Sequence, residues 1–234
     1  MSVSVCWSAK GGSGTTVVAA SLALLSSLDS TLVDLAGELP AVLGLPEPTG
    51  QGVTDWLSSD APAPALADLT VTVDRATQLV PFGSGPLDRA SPRWPELLAW
   101  LRGRANAIVD AGTGPPPDGL AGDGVRSILV TRACFLALRR AVAAPHRPDG
   151  VVLVAEPGRS LRASDVTRAV GAPVVATVSV DPAVARVVDA GLLLARLPRV
   201  LQRELRALTA ASTPTSTTRG VRDLGVGRQA VVRT

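Results

Sequence analysis

The residues best suited to chemistry stand in one short stretch, SAKGGSGTTVV, at residues 8–18. Its glycines allow a backbone to turn sharply and to approach a ligand closely, so that N–H groups can point at an anion. The general phosphate-binding pattern G-x-x-x-x-G-K-[ST] places a lysine just before the hydroxyl residue that binds Mg²⁺. Here Thr15 takes the place of that lysine, and Thr16 supplies the hydroxyl. The stretch predicts a phosphate loop that lacks one of its charges.

The candidate site extends beyond this loop to two acids, each at the end of an apolar run. Asp34 and Asp110 are the candidate catalytic residues, and Asp110 with Thr16 is the candidate Mg²⁺ site, with the ion held through water. A structural alternative for Asp110 is an Asx-type cap on the turn DAGTG. The predicted nucleotide-binding residues are Lys10, Gly11, Gly12, Ser13, Gly14, Thr15 and Thr16.

The elements that must position these residues alternate between strands and helices. Continuous apolar runs predict strands at 2–7, 31–35, 77–83, 106–114, 127–131, 150–158 and 172–178, and helical spacing predicts helices at 15–28, 92–103 and 197–211. Short apolar strands of this kind are typical of a parallel sheet that is buried on both faces. The predicted fold is α/β: a mainly parallel, doubly wound sheet of about seven strands, with helices on both faces. Ligands bind beyond the carboxyl ends of such strands, where the glycine loop and both acids fall.

Composition limits the classes of protein that need to be considered. The 234 residues are 46% hydrophobic with a net charge of +3, which suits a single globular domain. We predict that the domain spans residues 1–211 and that residues 212–234, rich in Ser, Thr, Gly and Arg, form a disordered tail. Cys6 and Cys134 are expected to be small core residues in a reducing, cytoplasmic setting.

No part of the chain has the length of a membrane-spanning helix. The longest apolar stretch, at 17–28, is about a dozen residues, and a spanning helix needs about 20. The helix at 197–211 carries an apolar stripe, which we expect to pack on its own domain. Membrane contact is therefore expected to be peripheral at most.

The segment KGGSGTT resembles the deviant Walker A motif, K-G-G-x-G-K-[ST], of the ParA/MinD family of P-loop ATPases. Further segments resemble that family in the same serial order, over roughly residues 1–210. They are TLVDLAGELPAVLGL (31–45), NAIVDAGTG (106–114), LVTRACFLALRRA (129–141) and PVVATVSVDPAVARVVDAGLLL (173–194).

The resemblance implies cofactors, partners and a location. ATP and Mg²⁺ are the implied cofactors, and a homodimer that encloses the nucleotide is the implied assembly. Lys10, the only lysine in the chain, matches the family lysine that contacts phosphate across this dimer. A cytoplasmic positioning or assembly factor follows, acting at the septum, the inner membrane or a cell pole, with protein partners. The non-standard motif resembles the TadZ/CpaE branch, which serves Tad-type pili. DNA is not an expected partner, because the arginines form no evident stripe.

The sequence departs from the family pattern in three places. Thr15 replaces the lysine of the loop. The strand-end motif D-x-D is reduced to Asp34-Leu35-Ala36, for which Glu38 is a weak substitute. Ala155 and Glu156 stand where an Asn would recognise adenine. These losses affect charge stabilisation and water activation. We therefore expect ATP binding with weak or no hydrolysis. Two alternatives stay open: a nucleotide-free scaffold that uses the dimer face for protein contacts, and an active partitioning ATPase.

Overall fold

The computed structural model describes residues 2–210. The predicted tail at 212–234 lies outside the described residues. Within them the strands are β1 (Ser2–Ser8), β2 (Ser30–Asp34), β3 (Val71–Thr72), β4 (Thr77–Val80), β5 (Asn106–Thr113), β6 (Val125–Arg132), β7 (Gly150–Ala155) and β8 (Val174–Ser179). The α-helices are α1 (Thr15–Leu25), α2 (Leu39–Leu43), α3 (Val53–Leu57), α4 (Trp94–Arg102), α5 (Phe135–Val142), α6 (Ala163–Val170), α7 (Pro182–Asp189) and α8 (Arg199–Ala210).

The strands form one sheet in the order β3-β4-β2-β5-β1-β6-β7-β8. Every neighbouring pair is parallel except β3 with β4, which is antiparallel. The predicted α/β class with a mainly parallel sheet is confirmed, and the strand count is corrected from about seven to eight. The missed strand, β3, has two residues, both exposed, so neither its length nor an apolar run marks it in the sequence.

Both faces of the sheet are covered, because alternate residues of the central strands enter two different cores. Val3, Val5 and Trp7 of β1 point into one core together with α3, α4 and part of α5 and α6. Cys6 of the same strand points into the other core, which α1, α2 and α8 cover. This two-sided burial explains why the strands are continuously apolar.

Helix α8 packs on its own domain, as its apolar stripe predicts. Val200, Leu201, Leu205 and Leu208 are buried, and the helix lies against α1 and β8. Because the stripe is covered, it cannot also enter a lipid surface in this conformation. Among residues 2–210, no helix combines the length and the apolar character that crossing a membrane requires.

The two cysteines differ in their surroundings. Cys6 is fully buried, as predicted for a core residue. The prediction for Cys134 is wrong, because this residue is only half-buried. It precedes α5 as the N-cap residue, at the end of the sheet where the chain leaves β6, and so it lies at the surface of the core.

Candidate functional site

The glycine loop joins β1 to α1 and is shaped by backbone conformations that glycine adopts readily. Gly12 has φ 72° and Gly14, which precedes α1, has φ 89°. The Ser13 hydroxyl donates to the Lys10 carbonyl oxygen at 2.6 Å and closes the loop. Gly14 has no side chain that could cap α1, and the first N–H groups of a helix find no acceptor within it. These donors, with the positive end of the helix dipole, favour an anion.

Three polar side chains lie side by side beneath the loop, on adjacent strands. In the sheet register, Asp110 of β5 is paired with Cys6 of β1 on one side and with Asp34 of β2 on the other. Both carboxylates are fully buried. The structure thus brings together the two acids that the sequence places at strand ends.

Asp34 organises the loop that follows β2. Its Oδ1 accepts the N–H groups of Ala36 and Gly37 at 2.9 and 2.7 Å, and its Oδ2 accepts that of Leu39 at 3.0 Å. Burial raises the pKa of Asp34 above its ordinary value, and these backbone donors offset part of that increase. Because its oxygens are occupied by backbone, Asp34 acts on the geometry of the site rather than on a reacting group.

Asp110 is the acid with a free oxygen. Its Oδ1 accepts the N–H of Gly112 at 3.1 Å, whereas Oδ2 is buried and has no hydrogen-bond partner among residues 2–210. Burial raises the pKa of Asp110 to about 6, and the charge of Asp34 adds to the increase, while the Thr16 hydroxyl lowers it. A buried acceptor without a partner is costly, so this oxygen is suited to a ligand such as a metal-bound water.

A cleft of about 550 Å³ opens above these acids. Its volume lies in the range of small-molecule sites. The predicted residues that line it are Gly12, Ser13, Gly14, Thr15 and Thr16. Gly11 and Lys10 do not line it, and the Lys10 ammonium donates to the Gly11 carbonyl oxygen at 3.3 Å. The loop therefore presents its backbone and hydroxyl groups to the cleft, but not its lysine.

Thr15 and Ala36, two residues at which the sequence departs from the pattern that it resembles, lie in the wall of this cleft. Thr15 lines it with only 6% of its surface exposed, and Ala36 lines it close to Gly112, where an added Cβ would lie 3.0 Å from the Ala36 Cβ. Glu38 is the carboxylate in the wall. No group of three or more His, Cys, Asp or Glu residues in the described part of the chain is arranged to bind a metal. A Mg²⁺ ion here would need water and ligand oxygens to complete its shell.

A second, apolar pocket of about 200 Å³ adjoins the loop at the carboxyl ends of β7 and β8. Val154, Val178 and Val184 line it beside Gly14. Glu156, which follows β7, forms ion pairs with Arg132 and Arg159. Its carboxylate is therefore already neutralised by protein groups and is not free to recognise a base.

Arg89, in the connection between β4 and α4, is a cleft residue that the sequence gives no reason to select. Its guanidinium donates to the carbonyl oxygens of Pro115, Ala111 and Thr113 at 2.6, 3.3 and 3.2 Å, and it lines the same cleft as the glycine loop. No local pattern marks it, because these partners lie 22 to 26 residues further along the chain.

Solved structures with the same architecture include a ParA family ATPase, the septum site-determining protein MinD and McdA. The chain superposes on a ParA family ATPase from Chlorobium tepidum TLS with a TM-score of 0.71 and 17% identity, over 89% of this chain and 98% of the other. It superposes on the septum site-determining protein MinD with Mg-ADP from Pyrococcus horikoshii OT3 with a TM-score of 0.71 and 20% identity, over 91% of this chain and 96% of the other. The ATP complex of a single-residue variant of Cyanothece McdA superposes with a TM-score of 0.65 and 16% identity, over 90% of this chain and 96% of the other.

These likenesses show that the fold is that of the ParA/MinD type of P-loop ATPase. No protein-family model and no curated protein sequence matches the chain.

Proposed function

We propose that this chain is a nucleotide-binding positioning or assembly factor of the ParA/MinD type that holds ATP with Mg²⁺ and hydrolyses it weakly or not at all. The observation that carries the proposal is the combination at one cleft of an intact backbone cradle and an altered set of charges. Gly12 and Gly14 keep the loop open to an anion, whereas Thr15 and Ala36 occupy the wall positions where charged groups would act.

The parts of a nucleotide have matching places around the loop. Phosphates face the first N–H groups of α1. The Thr16 hydroxyl and, through water, the Oδ2 of Asp110, which has no partner among residues 2–210, would hold Mg²⁺. The apolar pocket beside Val154 and Val178 would take the base. Selection there would be by shape, because the Glu156 carboxylate is paired with arginines.

The proposed weakness of hydrolysis follows from the same wall. Removing a charge-assisted contact from developing phosphate charge typically costs about 3 kcal/mol of transition-state stabilisation. Ala36 has no group that could orient an attacking water. Glu38 lies in the wall, but its neighbour Asp34 is bound to backbone and cannot assist it.

We propose a homodimer as the working assembly. Lys10 does not line its own cleft, as expected of a lysine that serves the nucleotide of a second subunit. The first turn of α5 follows β6 at the same edge of the sheet and exposes Phe135 and Leu136, at 75% and 44% of their surface. Such exposed apolar side chains favour a protein contact. One related structure is a complex of MinC with MinD from Aquifex aeolicus, which supports a protein partner for this chain. We propose that such a partner belongs to machinery at the septum, a cell pole or a Tad-type pilus.

The test is a calorimetric titration of the full chain with ATP and Mg²⁺, with ADP as comparator and phosphate release measured in parallel. We expect saturable binding at micromolar affinity without appreciable phosphate release. Thr16→Val, which removes the metal-binding hydroxyl but keeps the shape, should weaken binding only when Mg²⁺ is present.

Two results would overturn the proposal. No heat up to millimolar ATP would favour the nucleotide-free scaffold, with function carried by the exposed surface of α5. Steady phosphate release that Lys10→Ala abolishes would instead establish the active partitioning ATPase.

A further inference from the structure

We propose that Arg89 is the phosphate-binding cation of the cleft and supplies the charge that the glycine loop lacks at Thr15. This inference rests on the proposed function, since it names the residue that would neutralise the ligand in the same site. The cation comes from a different element than the loop: Arg89 lies between β4 and α4 and lines the same cleft as the glycine loop. Helix α4 covers the opposite face of the sheet from α1.

The guanidinium is held in place by neutral groups. Its three acceptors are the carbonyl oxygens of Ala111, Thr113 and Pro115, which belong to the end of β5 and the turn after it. These residues follow closely on Asp110. Carbonyl groups fix the position of a guanidinium without cancelling its charge, so the side chain is oriented before any ligand arrives.

The charge of Arg89 is not compensated by the protein. The ion pairs among residues 2–210 do not include it. A guanidinium has five N–H donors, and two of the five have no partner in the described part of the chain. Partial burial lowers the pKa of Arg89, but an arginine stays protonated at neutral pH. An anion in the cleft would gain both the charge and the free donors.

The charges of the neighbouring groups show why a cation is needed at this wall. Asp34 and Asp110 lie buried beneath the cleft, and Glu38 lines its side. A polyphosphate that met only the loop N–H groups would be placed beside these carboxylates without a side-chain cation, because Arg89 is the one Lys or Arg among the described residues that lines the cleft. Arg89 and the helix N-terminus together give the ligand a positive group on each side.

The competing explanation is that Arg89 only fastens the turn at residues 111–115. Its three carbonyl contacts would serve that role equally well, so a loss of stability on mutation cannot decide between the two. The affinity for polyphosphate distinguishes the two roles. If Arg89 only fastens the turn, this affinity does not depend on the charge at residue 89, whereas it does if Arg89 contacts phosphate.

The experiment measures binding of inorganic tripolyphosphate and of ATP with Mg²⁺ to the full chain by calorimetry, with melting temperatures recorded for every variant. Arg89→Gln should weaken tripolyphosphate binding at least tenfold. Arg75→Gln is the matched control: Arg75 is exposed in the β3–β4 turn, and its substitution should change affinity less than twofold. Arg89→Lys keeps the charge but loses the orientation that three carbonyls give the guanidinium, so its affinity should fall clearly less than that of Arg89→Gln, even if its melting temperature falls.

Each outcome decides a separate question. If the wild type binds ATP and Arg89→Gln binds as well, the proposed function stands and the role of Arg89 is overturned. Equal loss of affinity in Arg89→Lys and Arg89→Gln also overturns it, in favour of the fastening role. If the wild type binds tripolyphosphate in an Arg89-dependent manner but does not bind ATP, the anion site stands and the nucleotide function fails. No binding of either ligand rejects both.

Discussion

The same three adjacent strands, β2, β5 and β1, carry polar residues at both of their ends, and the two ends are built in opposite ways. At the amino ends, Asn106 is paired in register with Ser2 and Ser30. Its amide accepts from the Ser2 hydroxyl at 3.0 Å and donates to the Ser30 hydroxyl at 2.9 Å. The Ser30 hydroxyl in turn donates to the Leu28 carbonyl oxygen at 3.2 Å. This cluster is neutral, and it is closed by its own hydrogen bonds.

At the carboxyl ends, the corresponding row is Cys6, Asp110 and Asp34. Burial raises the pKa of the Cys6 thiol, and the charge of Asp110 raises it further. The two acids also repel each other, and one oxygen of Asp110 has no partner within residues 2–210. The polar side chains at the amino ends are fully hydrogen-bonded, whereas the row at the carboxyl ends keeps an unpaired oxygen and two neighbouring acids. The electrostatic strain therefore lies at the end of the sheet where a bound ligand can relieve it.

The largest effect is expected from removing the carboxylate that holds the loop after β2. Asp34→Ala leaves the N–H groups of Ala36, Gly37 and Leu39 without their acceptor. The Leu39 N–H is buried, and an unpaired buried donor costs about 1–3 kcal/mol, whereas the N–H groups of Ala36 and Gly37 lie nearer to solvent and cost less when unpaired. We therefore expect the free energy of unfolding to fall by about 3 kcal/mol. Urea unfolding followed by circular dichroism measures it.

Asp34→Asn is the control for this variant. It keeps one acceptor oxygen and removes the charge, so we expect it to cost less than half as much. A cost of Asp34→Ala below about 1 kcal/mol, the lower end for a single lost acceptor, would mean that the loop is not organised by this carboxylate. The contrast between the two ends would then rest on Asp110 alone.

The second prediction uses the raised pKa of Asp110. Because its folded pKa, about 6, exceeds the reference value of 3.8, the protonated form is favoured in the folded state. Asp110 therefore contributes its full stabilisation at pH values below the reference pKa, and this stabilisation is lost as the pH rises through the folded-state pKa. Relative to wild type, Asp110→Asn should gain about 2.5 kcal/mol in the free energy of unfolding between about pH 4 and pH 7.

Unfolding curves at several pH values across this range for the two proteins test this difference. A gap that stays constant with pH would show that Asp110 titrates normally and is not electrostatically strained. The wild type should also bind nucleotide with Mg²⁺ more tightly as the pH rises through the folded pKa of Asp110, because a metal shell needs the ionised carboxylate. Asp110→Asn should lose that pH dependence.

The third prediction concerns the closed row at the amino ends. Asn106→Ala removes the acceptor of the Ser2 hydroxyl and the donor to Ser30, so we expect a loss of about 2 kcal/mol. Because the row carries no charge, this loss should be the same from about pH 5 to pH 8. Unfolding curves measured over that pH range test this expectation. A stability loss in Asn106→Ala that changes with pH, as the difference for Asp110→Asn does, would contradict the comparison.

The contrast between the ends also marks what the sequence could predict. The parallel sheet follows from continuous apolar strands, and the convergence of the loop with Asp34 and Asp110 follows from parallel topology, because carboxyl ends meet at one edge. Strand β3 escaped detection because two exposed residues carry no periodic signal. The half-buried position of Cys134 depends on the direction in which the chain leaves β6, which composition does not specify.

Within the site, the missing information is three-dimensional. The sequence names Asp34 as an acid, but only the fold shows that its oxygens are used by the backbone of residues 36–39. Arg89 has the same limitation, since its partners lie far along the chain. Roles that depend on long-range contacts cannot be assigned from local patterns.

The smallest expected effect separates the contributions to the raised pKa of Asp110. Glu38 is exposed, and its charge raises the pKa of Asp110 less than burial or the charge of Asp34 does. Glu38→Gln should therefore lower the pKa of Asp110 only slightly, because solvent screens an exposed charge. Titration of the Asp110 carboxyl carbon by NMR measures the shift, with Glu47→Gln as a control outside the cleft. A large shift on Glu38→Gln would mean that the side chain turns into the cleft and shares its proton with Asp110, as an acid that replaces the missing carboxylate at Ala36 would have to do.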